Sequence, residues 1–242
     1  MLHKTRGIFL KSTPYSESSL VVQIYTERFG TQSYILQGVK KNKSKIRTSI
    51  LQPLHLYEMV VYHKENGGLQ RISECKNYPV LNKLPYDVLK SSIGIFICEL
   101  LYNTLKEHQE DPELFEFIFQ SVQLLDLTEK RISNFHLWFL IKYTKYLGFY
   151  PQNNIDSKTL YFDLRSAEFV PTIPTHPMFM DLEETKLMNE LLNNNVETIL
   201  DFKISSTLRK AILAKLLLYY QTHIENFKNL KSHSVLEEVL NN

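Results

Sequence analysis

LHLYEMVVYHKENGGLQRIS, residues 54–73, places two apolar, β-branched and aromatic runs on either side of Glu65-Asn66-Gly67-Gly68. Asn-Gly and Gly-Gly supply the positive φ angles that a tight hairpin turn demands, so this stretch reads as two antiparallel strands. Upstream, short segments of the same composition recur at residues 8–10, 20–25 and 33–36, separated by turn signals at Thr13-Pro14 and Arg28-Phe29-Gly30. Five short strands in about eighty residues, holding five of the chain's seven glycines, fit a small closed barrel. An OB-fold is the leading architecture, and OB-folds commonly bind single-stranded nucleic acid.

One long connection interrupts this pattern, between the third and fourth predicted strands. It reads GVKKNKSKIR over residues 38–47, with cations at Lys40, Lys41, Lys43, Lys45 and Arg47, inside a stretch from residue 28 to 57 that has no acidic side chain. The whole chain carries a net charge of only +2, yet residues 1–80 hold twelve Lys/Arg against five Asp/Glu and residues 81–242 hold sixteen against twenty-one. A basic module joined to a mildly acidic one implies a polyanionic partner for the first. Lys4, Arg6, Lys11, Arg28 and Arg71 are the barrel's other cations and are expected to extend the basic run into a continuous positive surface. Tyr15, Tyr25, Tyr34 and Tyr57 are open to two readings, base stacking on the outside or packing inside, and alternation alone does not choose between them.

Beyond residue 86 the period changes. Val88, Leu89, Ile93, Phe96, Ile97, Leu100, Leu101 and Leu105 recur at helical spacing, so residues 87–106 read as a helix. Asp111-Pro112 supplies an N-cap and a first-turn proline for a second helix, and Gly148 and Pro151 end a third that spans roughly 129–147. Residues 151–180 form an irregular excursion with four prolines and a possible hairpin at 160–163 and 168–170. Helical spacing resumes at 181–192, at 196–201 and over Leu208, Ile212, Leu216, Tyr220 and Ile224. The fold class is therefore α+β in two domains, a barrel over 1–80 and a mostly helical domain over 81–242.

Signals for catalysis are missing. No glycine spacing matches a dinucleotide or P-loop fingerprint, no nucleophile elbow occurs, and the eight histidines form no metal-spaced cluster, so no cofactor and no enzymatic activity are expected. Glu183-Glu184 and Glu237-Glu238 lie in predicted helices, where a solvated face is the ordinary explanation. Two cysteines, Cys75 and Cys98, make a disulfide framework or a four-thiolate zinc site implausible. The start of the chain has no apolar run of signal-peptide length and no segment is long enough to span a bilayer, so a cytosolic location is expected.

Residues 7–61 resemble the amino-terminal domain of the RecO family of bacterial recombination and repair mediators. The resemblance rests on Tyr15-Ser16-Glu17-Ser18-Ser19-Leu20, the turn Thr26-Glu27-Arg28-Phe29-Gly30, Gly38-Val39-Lys40-Lys41 and Leu51-Gln52-Pro53, and extends thinly to residues 146–151 and 230–232. It implies an OB-fold followed by a helical domain, binding of single- and double-stranded DNA, and strand annealing. It also implies action with the RecR protein in loading recombinase onto DNA coated by single-stranded DNA-binding protein, whose acidic carboxy-terminal tail such proteins grip. Carried over by position, Arg28, Lys40, Lys41, Lys43, Lys45 and Arg47 would contact phosphate.

Many relatives in this family hold zinc with four cysteines in the excursion between helices. Residues 149–181 have none, so that insertion must be held by packing, with Phe162, Phe169 and Phe179 at hand. For the acidic tail, the helix bearing Lys130, Arg131, Trp138, Phe139, Lys142 and Lys145 offers an apolar surface with cations, and Arg209 and Lys210 are a second source of charge; the ordinary alternative for Trp138 is core. Two other functional classes fit the same residues: an RNA-binding OB module, and a non-catalytic adaptor whose lysines only solubilise it.

Overall fold

The computed structural model describes residues 1–37, 50–64, 67–105, 109–155 and 159–241. The chain divides into two compact units, Met1–Thr128 and Glu129–Asn242.

The first unit opens with five strands, β1 (Leu2–Ser16), β2 (Ser19–Thr26), β3 (Gly30–Gln37), β4 (Leu56–Tyr62) and β5 (Gln70–Asn77). They close into a barrel in the order β1-β2-β3-β5-β4, with β4 returning to β1. Only the β3–β5 seam is parallel. This is the expected OB-type barrel, and its interior follows from alternation: Val22, Ile24, Tyr34, Leu36, Tyr57, Met59 and Val61 are buried, together with Phe9. Each such side chain contributes about 1.5–3 kcal/mol of transfer free energy. Gly7 lies where a Cβ would stand 2.6 Å from Met59 Cε and 2.7 Å from Ile24 Cγ2, so the interior leaves no room for a side chain there.

β1 departs from expectation. The predicted strand at 8–10 is the middle of a fifteen-residue strand that pairs with β4 over Leu2–Ile8 and with β2 over Gly7–Ser16. Thr13-Pro14, read as a turn, is inside it, opposite Val21 and Leu20. The reason is that β1 beyond Ile8 has a ladder on one side only, and an edge position tolerates a residue without an N–H.

Two helices complete this unit, α1 (Val88–Thr104) and α2 (Pro112–Leu127). Asp87 and Asp111 cap them by accepting the N–H groups of Lys90 and Leu114. Cys98 on α1 donates to Leu10 O at 3.1 Å, and burial pushes its thiol up to about 12, so it is a packing residue rather than a nucleophile. Asp126, buried on α2, accepts from the backbone N–H of Asn82, Lys83 and Leu84 at 3.1, 2.8 and 2.7 Å, which fixes the segment leading into α1.

The second unit contains α3 (Phe135–Leu147), β6 (Tyr161–Asp163), β7 (Glu168–Val170), β8 (Phe179–Met180), α4 (Leu182–Asn193), α5 (Val196–Asp201), α6 (Ser206–His223) and α7 (Ser232–Asn241). α3 starts later than the predicted 129, with Asn134 at its N-cap and the Asn134 amide donating to the carbonyls of Ile199 and Phe202 rather than capping the helix. It ends as expected at Gly148, with φ of 86°. The excursion over 151–180 carries the predicted hairpin and a third strand, in the order β7-β6-β8. Phe162 and Phe169 meet at 4.9 Å between ring centroids, and His176 Nε2 lies 3.2 Å from Asp163 Oδ2. Among the described residues no group of His, Cys, Asp or Glu is arranged to hold a metal ion. None of the helices, over the same residues, is long and apolar enough to cross a membrane.

Candidate nucleic-acid interface

Strand register assembles a surface on the outside of the barrel. Tyr62 on β4 stands opposite Arg71 on β5, Arg71 opposite Ile35 on β3, Ile35 opposite Val21 on β2, and Val21 opposite Thr13 on β1. Two residues along, Lys11, Gln23 and Ser33 form the neighbouring row on the same face. The result is a half-exposed aliphatic pair, Val21 and Ile35, between an exposed tyrosine and arginine on one side and an exposed lysine and threonine on the other. Such a face can stack bases and attract phosphate at once. Gln37, where β3 ends, pairs with Ser19, beside the exposed end of β1 that carries Tyr15. The basic connection leaves the sheet at that edge.

Lys40, Lys41, Lys43, Lys45 and Arg47 lie outside the described residues. The segment's return is anchored at Ile50, whose carbonyl accepts from Tyr57 Oη at 2.7 Å and lies 3.0 Å from His55 Nδ1. Arg28 is exposed on the β2–β3 turn, with its guanidinium 5.6 Å from the centroid of the Phe29 ring. Phe29 in turn stacks on His63 at 3.9 Å, with His3 edge-on at 5.4 Å.

Two of the remaining cations, Lys4 and Arg6, are engaged by carboxylates. Arg6 is clamped by Glu27 at 2.7 Å and Glu116 at 2.8 Å, and these carboxylates raise its pKa further. Lys4 and Lys76 both pair with Glu58, at 2.9 and 2.6 Å, and the two ammonium groups hold its carboxyl down to about 2. Lys11 rests 4.4 Å from the centroid of the Tyr102 ring. Lys11, Arg28 and Arg71 are exposed, and, after the hydrogen bond from Arg6, the charge of Arg28 helps to lower the pKa of Glu27.

The tyrosines separate cleanly. Tyr34 and Tyr57 belong to the barrel interior, Tyr25 is buried on its outer side against Phe115 of α2, and Tyr15 is 63% exposed. Tyr62, 47% exposed, was not singled out from sequence, although strict alternation from buried Met59 and Val61 places it outside.

In the second unit, a cavity of about 350 Å³ is lined by Arg131, Lys203 and Arg209 with Leu200, Phe202, Ile204 and Leu240, and no carboxylate lines it. Asn134 organises it: its amide nitrogen holds the carbonyls of Ile199 and Phe202 at 2.9 Å, and its oxygen accepts from Arg209 Nε at 3.2 Å. Arg209 Nη2 donates to Ile204 O at 2.9 Å, and burial together with the charge of Arg131 lowers its pKa. The cavity thus brings together Arg131 and Arg209 from the expected tail site. Trp138 and Lys142 do not line it: Trp138 is half-buried against Phe135, and Lys142 donates to Leu192 O at 2.8 Å at the end of α4. Asn134, Phe202 and Lys203 were missed, since a loop between helices carries no periodic signal.

Comparison with known proteins agrees with this architecture. The family model "Recombination protein O N terminal" matches residues 1–78 and "Recombination protein O C terminal" matches residues 85–233. The chain is 39% identical over 239 residues to the DNA repair protein RecO of Azobacteroides pseudotrichonymphae, covering 99% of each chain. It is 36% identical to that of Phocaeicola vulgatus over 239 residues and 34% identical to that of Bacteroides fragilis over 240 residues, again with 99% of each chain covered. With both halves matched and relatives aligned from end to end, the chain belongs to the RecO family of DNA repair proteins.

Proposed function

We propose that this protein is a non-enzymatic, cytoplasmic recombination mediator that binds and anneals single-stranded DNA and helps load recombinase onto DNA coated by single-stranded DNA-binding protein. The observation that carries the reading is the row Tyr62–Arg71–Ile35–Val21 on the outside of the barrel, adjoining the edge from which the cationic segment departs. Annealing needs no bond chemistry, only two strands held together with their charge neutralised, and lysines near phosphate supply that by counterion release. Duplex DNA is bound through the same phosphates.

The division of labour follows charge: residues 1–80 bind DNA, and residues 81–242 bind protein partners, the RecR protein and the acidic tail of single-stranded DNA-binding protein. The cavity with Arg131, Lys203 and Arg209 beside Phe202 and Ile204 has the chemistry for an acidic peptide with an apolar end, and it supports that reading.

The test is to replace Lys40, Lys41, Lys43 and Lys45 together with alanine and to measure single-stranded DNA affinity across a salt series. Loss of four phosphate contacts lowers the slope of log K against log salt by about 2.8, at roughly 0.7 per contact. Equal affinity and equal slope in both proteins would remove the segment from the interface. Tighter binding of RNA than of DNA of one sequence would favour an RNA-binding module instead.

A further inference from the structure

The cationic cavity has a neighbour built partly from the chain's own last helix. Leu236 of α7 is fully buried and anchors the helix. The next residue, Glu237, has its Oε2 3.1 Å from Lys210 Nζ of α6, and Leu240, one turn beyond Leu236, lines both the cavity with Arg131 and Arg209 and a smaller one with His136, Arg209, Lys210 and Glu237. The final turns of α7 read Leu236-Glu237-Glu238-Val239-Leu240, carboxylates followed by an apolar side chain. That is the chemistry the cavity would meet in an acidic peptide. Without α7 the cavity's wall holds three cations and no acid, and α7 brings the carboxylate that the adjoining cavity contains.

We infer that the end of α7 is a resident competitor for the cationic cavity: Leu240 fills its apolar end, Glu237 engages Lys210, and an incoming acidic peptide displaces this last turn. The inference rests on the reading of the cavity as a peptide site. Displacement would free Lys210 to add a fourth cation to the three already there, so the occupied site gains charge complementarity that the closed one lacks. Leu236, being buried, keeps the base of the helix in place while its end moves.

Two measurements on the full-length protein test this, with a fluorescent peptide of three aspartates and a carboxy-terminal phenylalanine as probe. Glu237→Gln keeps the shape of the side chain and removes its charge, and it is expected to tighten peptide binding about two- to fivefold, the range of one partly exposed ion pair. Hydrogen exchange at the backbone amides of residues 238–241 is expected to accelerate when the wild-type protein is saturated with peptide. Equal or weaker binding by Glu237→Gln, or amides that exchange no faster than in the free protein, overturns the inference. Arg131→Ala separates the two levels. If it binds the peptide as well as wild type does, or if wild type does not bind, the peptide site itself is wrong and the competitor falls with it.

Discussion

Arg6 and Glu116, 110 positions apart, meet at 2.8 Å through Nη2 and Oε2, and the same guanidinium stands 4.7 Å from the centroid of the Phe119 ring. The arginine that looks available for phosphate in the sequence is therefore committed to holding β1 against α2. Arg6→Ala is expected to cost about 1–2 kcal/mol of folding stability, from partly exposed ion pairs and a cation–π contact, while DNA affinity and its salt slope stay unchanged. Urea denaturation and a salt series on the variant check both halves.

The outer face makes a sharper demand. Tyr62→Ala is expected to weaken single-stranded DNA binding about 5- to 100-fold, the equivalent of one lost base stack, and Arg71→Ala to lower the salt slope by about 0.7. Tyr25→Phe, whose ring is buried between the barrel and Phe115 of α2, leaves affinity where it was. Fluorescence anisotropy with a labelled oligonucleotide decides the matter. A Tyr62→Ala protein that binds like wild type excludes this face.

Gly30 has no alternative at its position. Its φ is +59°, and a Cβ there would stand 2.4 Å from the backbone oxygen of Gln109. Backbone cannot yield as a side-chain tip can, so Gly30→Ala combines left-handed strain with overpacking and is expected to lose about 2–4 kcal/mol. The midpoint of chemical denaturation reports it.

How much of this was legible in the sequence depends on the range of the forces involved. Alternation along β2 and β3 marked the strands but left the facing of Tyr25 and Tyr34 open, whereas the caps Asp111-Pro112 and Gly148 marked helix ends, because a cap is set by neighbours in the chain. The fate of Lys4 and Arg6 was not legible, since it turns on Glu58 and Glu116, which reach them only after the barrel closes and α2 packs. The same holds for the cationic cavity of the second unit. Arg131 and Arg209 were named from charge, but the residue that holds Arg209 is Asn134, whose three hydrogen bonds span 65 to 75 positions. Trp138 was named for its place among the cations of one helix, and spacing along a helix does not say which partner a ring meets.

His136 gives stability a pH dependence. It is fully buried, and desolvation with the nearby charge of Arg209 brings its pKa down from 6.5 to about 3. The unfolded chain binds a proton here below pH 6.5 that the folded protein refuses until about pH 3. Stability is thus unaffected above pH 6.5 and falls as pH drops through that window, by up to roughly 1.4 kcal/mol per pH unit. His136→Leu is expected to flatten the curve of unfolding free energy against pH between 6.5 and 3 relative to wild type, whatever its absolute stability.

β1 belongs to both ladders at once, giving its first half to β4 and its second to β2. Its partner Tyr62 lies sixty positions downstream of Leu2, so this half of β1 waits for its hydrogen bonds until β4 has been made. Contacts of such sequence separation slow folding, since loop entropy is lost before they form. During synthesis the β1–β2–β3 meander is free to assemble first, with the Leu2–Arg6 edge open until β4 emerges. That interval is when the unpaired edge is most exposed to the wrong strand.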